Sequence, residues 1–174
     1  MSSKRFHLIR SLLHFNSKFA NSFSDRFYKI RPIFNAITAQ FIKVGDARTQ
    51  SIDEVMVACK VTLVGPLREH MKTKPYNRRF KLFCEATTGG FIHDILMYQG
   101  KSTFSCHPPA LSEKEIGFLV SSKTVIVLLK TVKKPTEIAI YADNSFTSIS
   151  LIEDLRDDYD CRYVGTARVN RRWT

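Results

Sequence analysis

The sequence has few of the residues that cross-link small secreted proteins or carry a chain through a membrane. Its four cysteines are scattered over 174 residues, without a C-x-x-C pair or a spacing typical of zinc sites, which argues against a disulfide framework and a zinc ribbon. The longest nearly apolar stretch, residues 116–129, contains Ser121, Ser122 and Lys123 and is too short to cross a bilayer. We therefore expect no membrane span, and reduced, mostly buried thiols.

Glycine and proline are also scarce, with 7 and 6 residues, whereas 44% of the chain is hydrophobic. This composition excludes collagen-like and disordered chains and predicts a packed core. The amino terminus carries Lys4, Arg5 and Arg10 and lacks the uncharged apolar stretch of a secretory signal. The protein is therefore predicted to be intracellular.

Acidic residues are fewer than basic residues. The chain has 16 Asp and Glu against 27 Lys and Arg, a formal net charge of +11. An excess of this size predicts an anionic partner.

The first 46 residues are predicted to form a helical segment. Phe6, Ile9 and Leu13 recur at steps of three and four, and Ser2 or Ser3 is available as an N-cap. A second run with the same spacing extends from residue 27 to residue 41 and contains Pro32. Because proline inside a helix removes a hydrogen bond, this helix should start near Pro32 or kink there.

From residue 50 onward the pattern changes from helix-like to strand-like. Two β-branched or apolar runs flank residues 87–90, T-T-G-G, which is a strong hairpin signal. The predicted strands cover residues 51–59, 80–86, 91–98, 137–142 and 162–166, and the predicted helices cover residues 113–132 and 147–156. Three antiparallel strands followed by two helix-strand units predict a mixed five-stranded α/β sheet with flanking helices.

Two acids stand out by their position at apolar strands. Asp53 lies within the first strand, and Asp143 directly follows the fourth. Taken alone, each is better explained structurally, Asp143-Asn144 as a turn and helix cap and Asp53 as an exposed strand residue. The order of elements favours another interpretation, because neighbouring first and fourth strands would bring both carboxylates to one edge of the sheet. Such an oxygen-rich pair suits Mg²⁺ or Mn²⁺.

Several segments resemble successive landmarks of piggyBac-type transposases and the proteins derived from them. The opening R-F-H-L-I-R-S-L-L-H-F and D-R-F-Y-K-I-R-P-I-F are similar to the helical lead-in of that family. They are followed by S-I-D-E-V-M, H-M-K-T-K-P-Y-N-R-R-F-K-L, Y-Q-G-K, Y-A-D-N-S-F-T-S and V-G-T-A-R-V-N-R-R. Nearly the whole chain is covered in the family's order.

The resemblance implies an RNase H-like core in which three aspartates hold two metal ions for DNA strand cleavage and joining. Asp53 matches the first catalytic aspartate and Asp143 the second, with Mg²⁺ or Mn²⁺ as the implied cofactor. The third has no match before Thr174, and Asp154, Asp157, Asp158 and Asp160 are better explained as a solvated acidic face. We therefore expect an incomplete RNase H-like core over residues 47–174, a fragment or domesticated relic that is inactive alone.

Double-stranded DNA is the partner that the resemblance and the net charge imply, with the nucleus as location. The predicted nucleic-acid-binding residues are Lys60, Lys72, Lys74, Arg78, Arg79, Lys81, Arg168, Arg171 and Arg172. Lys60 lies where family members carry an aromatic-Lys-Gly-Arg turn, which reads C-K-V-T here.

A non-catalytic DNA-binding or protein-interaction module is the alternative. An incomplete core should also leave apolar surface on one sheet face uncovered, which favours self-association.

Overall fold

The computed structural model describes residues 1–16, 25–45, 47–58, 69–70, 78–105 and 110–167, with residues 69, 70 and 78 described by their backbone alone. The helices are α1 (Ser3–Leu12), α2 (Arg31–Phe41), α3 (Glu113–Ile116), α4 (Val120–Leu129) and α5 (Ile149–Asp157). The strands are β1 (Thr49–Ala58), β2 (Glu69–His70), β3 (Arg78–Thr87), β4 (Ile92–Met97), β5 (Ala139–Ala142) and β6 (Arg162–Gly165).

The first two helices confirm the predicted amino-terminal pattern. Ser2 is the N-cap of α1, where its hydroxyl accepts a hydrogen bond from the Arg5 amide at 3.4 Å. Helix α2 begins at Arg31, so Pro32 lies in the first turn, where a missing N–H removes no helical hydrogen bond. The residues of α1 are solvent-exposed, whereas Phe41 of α2 packs edge-on against Phe91 beside β4 at 5.6 Å.

The sheet is mixed, with β1 at its centre. Strand β1 pairs antiparallel with β3 and parallel with β5, and β5 pairs parallel with β6. The other edge of β3 pairs with β4 and with the two-residue β2. The predicted five strands and their mixed pairing are confirmed, and β2 is a short addition. The hairpin turn is also confirmed, with Gly90 at a φ of +80° that favours glycine.

Side-chain alternation divides the sheet into two faces. We call the side of Ile52, Phe83 and Leu96 the core face, because these side chains are buried. The opposite side, which carries Asp53, Val55 and Val57 of β1, is the open face. Part of it lies under the segment before α2, where Phe27 contacts Phe80 edge-on at 5.9 Å.

Apolar side chains remain exposed on the open face, as the sequence analysis predicts. Val55, Val57, Tyr141 and Val164 are between 42% and 50% exposed, and the pairing register places them on one face of β1, β5 and β6. Self-association through this face stays a prediction.

The hydrophobic core lies between the core face and helices α4 and α5. Seven of the ten residues of α4 are buried, including the run from Val125 to Leu129. Phe146, just before α5, packs edge-on against Phe83 at 5.8 Å. Burial on all sides explains how a β-branched segment is helical, because tertiary packing outweighs weak helix propensity. Among the described helices, none has the length and apolar character that a membrane span requires.

The single helix predicted over residues 113–132 is wrong in one respect, since the structure divides it into α3 and α4. Ser112 and Glu115 form a capping box that starts α3. Gly117 then closes the short helix, and Leu119 is extended, with a ψ of 153°. The break makes α3 a separate short helix, and its Glu115 is buried.

Glu115 joins three parts of the helical layer. Its carboxylate accepts hydrogen bonds from Lys130 Nζ at 2.6 Å, Tyr159 Oη at 2.5 Å and the Ser112 amide at 2.5 Å. Burial by itself would raise the pKa of Glu115, but these hydrogen bonds outweigh it and lower the pKa to about 2. The ionised carboxylate therefore holds α3 against α4 and the end of α5.

We expect Glu115→Gln to destabilise the fold by about 2–4 kcal/mol at pH 7, because it leaves the partly buried Lys130 without its counter-charge. Since the pKa of Glu115 falls from 4.5 to about 2 on folding, its contribution is present above about pH 4.5 and is lost as the pH falls toward 2. Urea unfolding of both proteins between pH 3 and pH 7 measures this difference.

Glu137→Gln is the matched control. Glu137 also pairs with a lysine, Lys134 at 2.6 Å, but both side chains are more than 60% exposed, so the free energy of unfolding should hardly change. Equal effects of the two substitutions would contradict the role given to Glu115.

Candidate metal centre

The two candidate carboxylates lie side by side at one edge of the sheet. The parallel register pairs Ile52 of β1 with Ala142 of β5, and Asp53 and Asp143 are the next residues on each chain. Both side chains are exposed and line one open cleft of about 410 Å³. The predicted neighbourhood of the first and fourth strands is therefore confirmed, and metal binding by this pair stays a prediction.

Asp53 lies on a continuous strand, and its carboxylate is oriented locally. Its Oδ1 accepts a hydrogen bond from the Glu54 amide at 2.7 Å. Across the antiparallel ladder it faces Cys84 of β3. Burial, with the nearby charges of Asp94 and Asp53, raises the pKa of the Cys84 thiol to about 11. Cys84 and Cys161 are free and buried, as predicted, while Cys59 and Cys106 lie outside the described residues.

Asp143 lies in a tight turn that begins where β5 ends. Its Oδ1 accepts two hydrogen bonds from Ser145, one from the amide at 2.7 Å and one from the hydroxyl at 2.5 Å. Ser148 then caps α5 through the Leu151 amide. The predicted turn at Asp143-Asn144 is therefore confirmed. The Asp143 side chain orders this turn and still presents its carboxylate to the cleft that Asp53 also lines.

The donor set fits a hard divalent cation. Two solvated carboxylates from adjacent strands offer the oxygen ligands that Mg²⁺ and Mn²⁺ prefer, and water can complete the coordination shell. In the part of the chain that the structure describes, no group of three or more His, Cys, Asp or Glu residues is placed to hold a metal ion. The pair therefore offers two of the ligands that a metal site would need.

The acidic residues of α5 and the turn after it do not supply a third ligand, and their predicted solvated face is wrong for Asp154. Asp154 is 1% exposed on the core side of α5 and pairs with Lys114 at 2.7 Å. Desolvation raises its pKa against the opposing effect of Lys114. Asp158 pairs with the same lysine at 2.9 Å. Periodicity alone missed this, because the pairing of buried Asp154 with the exposed Lys114 of α3 depends on how α3 and α5 pack.

The two predicted nucleic-acid-binding residues whose side chains the structure describes, Arg79 and Lys81, lie by the register with β1 on the sheet face opposite Asp53. Lys81 pairs with Glu54 at 2.8 Å, and its Nζ lies 5.1 Å from the ring centroid of Phe83. For Arg78 the structure describes the backbone alone, and the predicted contacts Lys60, Lys72, Lys74, Arg168, Arg171 and Arg172 lie outside the described residues.

Three residues that the sequence analysis did not single out as site residues meet beside Asp143. Thr147 Oγ1 donates a hydrogen bond to the Asp143 carbonyl at 2.9 Å, and it lies 3.2 Å from Tyr163 Oη. A Cβ atom at Gly165 would lie 2.2 Å from that same Thr147 oxygen. Thr147 lies in the Y-A-D-N-S-F-T-S segment, Gly165 lies in the V-G-T-A-R segment, and Tyr163 directly precedes that segment. The spacing of these residues in the sequence gives no sign that they are in contact.

The topology defines the class of protein. A central strand β1 with the antiparallel hairpin β3 and β4 on one side and two parallel strands on the other, backed by helices, is an RNase H-like α/β fold, and its carboxylates lie at the edge of the parallel pair.

Comparisons with known proteins agree with this class. A family model described as Transposase IS4 matches residues 1–174. A solved piggyBac transposase in a synaptic complex with hairpin DNA superposes with a TM-score of 0.78 at 25% identity, over 100% of this chain and 35% of that chain. The chain therefore belongs to the piggyBac-type transposases of this family.

Two human proteins are similar in sequence. PiggyBac transposable element-derived protein 3 is 28% identical over 162 residues, which cover 89% of this chain and 25% of that protein. The chimeric ERCC6-PGBD3 protein is 28% identical over the same length, which covers 14% of it. The chain thus spans about a quarter or less of the length of these relatives.

Proposed function

We propose that this chain is a fragment or domesticated relic of a piggyBac-type cut-and-paste DNA transposase, and that Asp53 and Asp143 are its metal ligands. The observation that carries the proposal is the parallel pairing of β1 and β5, which places the two carboxylates together at one open cleft. The solved relative in complex with hairpin DNA supports DNA as the substrate, as does the net charge of +11.

The residues of the cleft have distinct roles in this proposal. Asp53 and Asp143 would hold Mg²⁺ or Mn²⁺, which supplies Lewis-acid stabilisation of charge on a phosphodiester. Ser145 fixes one oxygen of Asp143 through two hydrogen bonds, so that the carboxylate keeps one orientation. Both aspartates are exposed, so they are accessible to a large polyanion.

We expect the chain to bind Mn²⁺ weakly at one site that depends on both aspartates. Asp53→Ala and Asp143→Ala should each lower the affinity by at least about tenfold, because even outer-shell partners of a metal contribute that much. The free Mn²⁺ signal in electron paramagnetic resonance measures the binding directly. Glu153→Ala, which removes an exposed acid on α5, is the control that should leave the Mn²⁺ affinity unchanged. An affinity that is the same in all three variants as in the wild type would exclude the site.

The 174-residue chain by itself should not cleave or join DNA. Two carboxylates can hold one ion weakly, but alignment of a nucleophile and a leaving group needs the complete set of ligands. A strand-transfer assay with purified protein and Mg²⁺ or Mn²⁺ tests this. Turnover that disappears in Asp53→Ala would overturn the expected inactivity and identify an active enzyme.

A non-catalytic DNA-binding module is the second candidate, favoured by the strongly basic composition. It predicts duplex binding that weakens steeply with salt and survives Asp53→Ala and Asp143→Ala. Fluorescence anisotropy with a labelled duplex gives the salt slope. Lys72→Ala should reduce the slope by about 1, whereas Lys81→Ala should change it less, because Lys81 already pairs with Glu54.

Two outcomes would count against DNA binding. Affinity that does not depend on salt would contradict phosphate contacts. Failure to bind any duplex at low salt would leave a basic scaffold for an acidic protein as the remaining interpretation.

A further inference from the structure

Asp143 is attached to β6 as well as to β5. The hydroxyl of Thr147 donates its single proton to the Asp143 carbonyl oxygen at 2.9 Å. The Tyr163 hydroxyl, on β6, lies 3.2 Å from the same Thr147 oxygen. Because the Thr147 proton is already used, Tyr163 is the donor in this second hydrogen bond. A bridge of two hydroxyl groups therefore runs from Tyr163 through Thr147 to the backbone of Asp143.

Gly165 makes room for this bridge. It pairs with Ala142, the residue before Asp143, in the parallel register of β5 and β6. A Cβ atom at position 165 would lie 2.2 Å from Thr147 Oγ1 and 2.8 Å from the Tyr163 ring. Real side chains do not approach so closely, so a larger residue would displace the threonine or the tyrosine. The glycine is therefore required by a close approach, because its φ is not in the left-handed region.

The bridge is partly shielded from solvent. Thr147 is 6% exposed. Burial raises the pKa of the Tyr163 phenol against the opposing effect of the Thr147 hydrogen bond, and the Asp143 charge raises it further. The phenol is thus a protonated donor at neutral pH. A part-buried hydrogen bond constrains the turn more strongly than a fully exposed one.

We infer that Thr147, Tyr163 and Gly165 form a positioning unit that fixes Asp143 relative to Asp53. Asp53 is held by β1, which lies on one side of β5, and the positioning unit holds Asp143 from β6 on the other side. This inference rests on the proposed metal site, since its purpose is to keep two carboxylates at a fixed separation. None of the three residues is proposed to contact the metal or the DNA.

The test compares Mn²⁺ affinity in variants of the full chain. Thr147→Val and Tyr163→Phe should each weaken Mn²⁺ binding by about tenfold, the lower end of the effect of outer-shell partners, and Thr147→Ser should restore it by keeping the hydroxyl. Tyr141→Phe is the matched control, because Tyr141 lines the same cleft and its hydroxyl makes no hydrogen bond with the described residues. Thermal unfolding of each variant shows that the fold is intact.

A second measurement needs no metal. The Ser145 amide donates to the Asp143 carboxylate at 2.7 Å, so its hydrogen exchange reports whether the turn is held. Exchange should be about fivefold faster in Thr147→Val and Tyr163→Phe, the scale of one hydrogen bond, and unchanged in Thr147→Ser and Tyr141→Phe.

The two measurements separate this inference from the proposed function. Wild-type protein that binds Mn²⁺ through Asp53 and Asp143, with Thr147→Val and Tyr163→Phe unchanged in affinity, would overturn the positioning unit and leave the metal site standing. Wild-type protein without such binding would overturn the metal site, and Ser145 exchange then decides the positioning unit alone. Exchange that is equal in all variants would reject it.

Discussion

The parallel ladder between β1 and β5 is the constraint on which the rest of the structure depends. Its hydrogen bonds pair Ile52 with Ala142, residues that are far apart in sequence, and so bring two separate strand ends to one place. A shift of the register by one residue would move every side chain of β5 to the other face. Asp143 would then leave the cleft, and the buried Ile140 would be exposed.

The core face enforces that register. Ile140 of β5 is completely buried beneath α4 and α5, next to the buried Ile52 of β1, so a slip of β5 would expose Ile140, at a cost of about 1.5–3 kcal/mol. The same burial explains why α4 is helical despite its β-branched residues. The position of the carboxylates is therefore stabilised by side-chain packing on the opposite face of the sheet.

The open face, in contrast to the core face, leaves the two aspartates exposed to solvent. Because Asp53 and Asp143 are exposed there, water screens their mutual repulsion, and two like charges can lie side by side at little cost. Hydrogen bonds to Ser145 and Thr147 order Asp143 without burying it. Apolar neighbours such as Val55 and Val164 remain exposed on the same face, so the cleft combines a solvated charged pair with an apolar surround.

The sequence by itself determined the kinds of elements and the two aspartates at strands, because periodicity, turn residues and caps depend on near neighbours. It predicted the hairpin at residues 87–90 and the helix start at Pro32, but missed the break at Gly117, since adjoining apolar runs fit one helix equally well. Only the tertiary structure decided that Lys81 lies on the sheet face opposite to that of Asp53, that Asp154 is buried and that the Tyr163 hydroxyl contacts Thr147. These contacts depend on strand register and helix packing, which the joint burial of distant residues sets and no local pattern encodes.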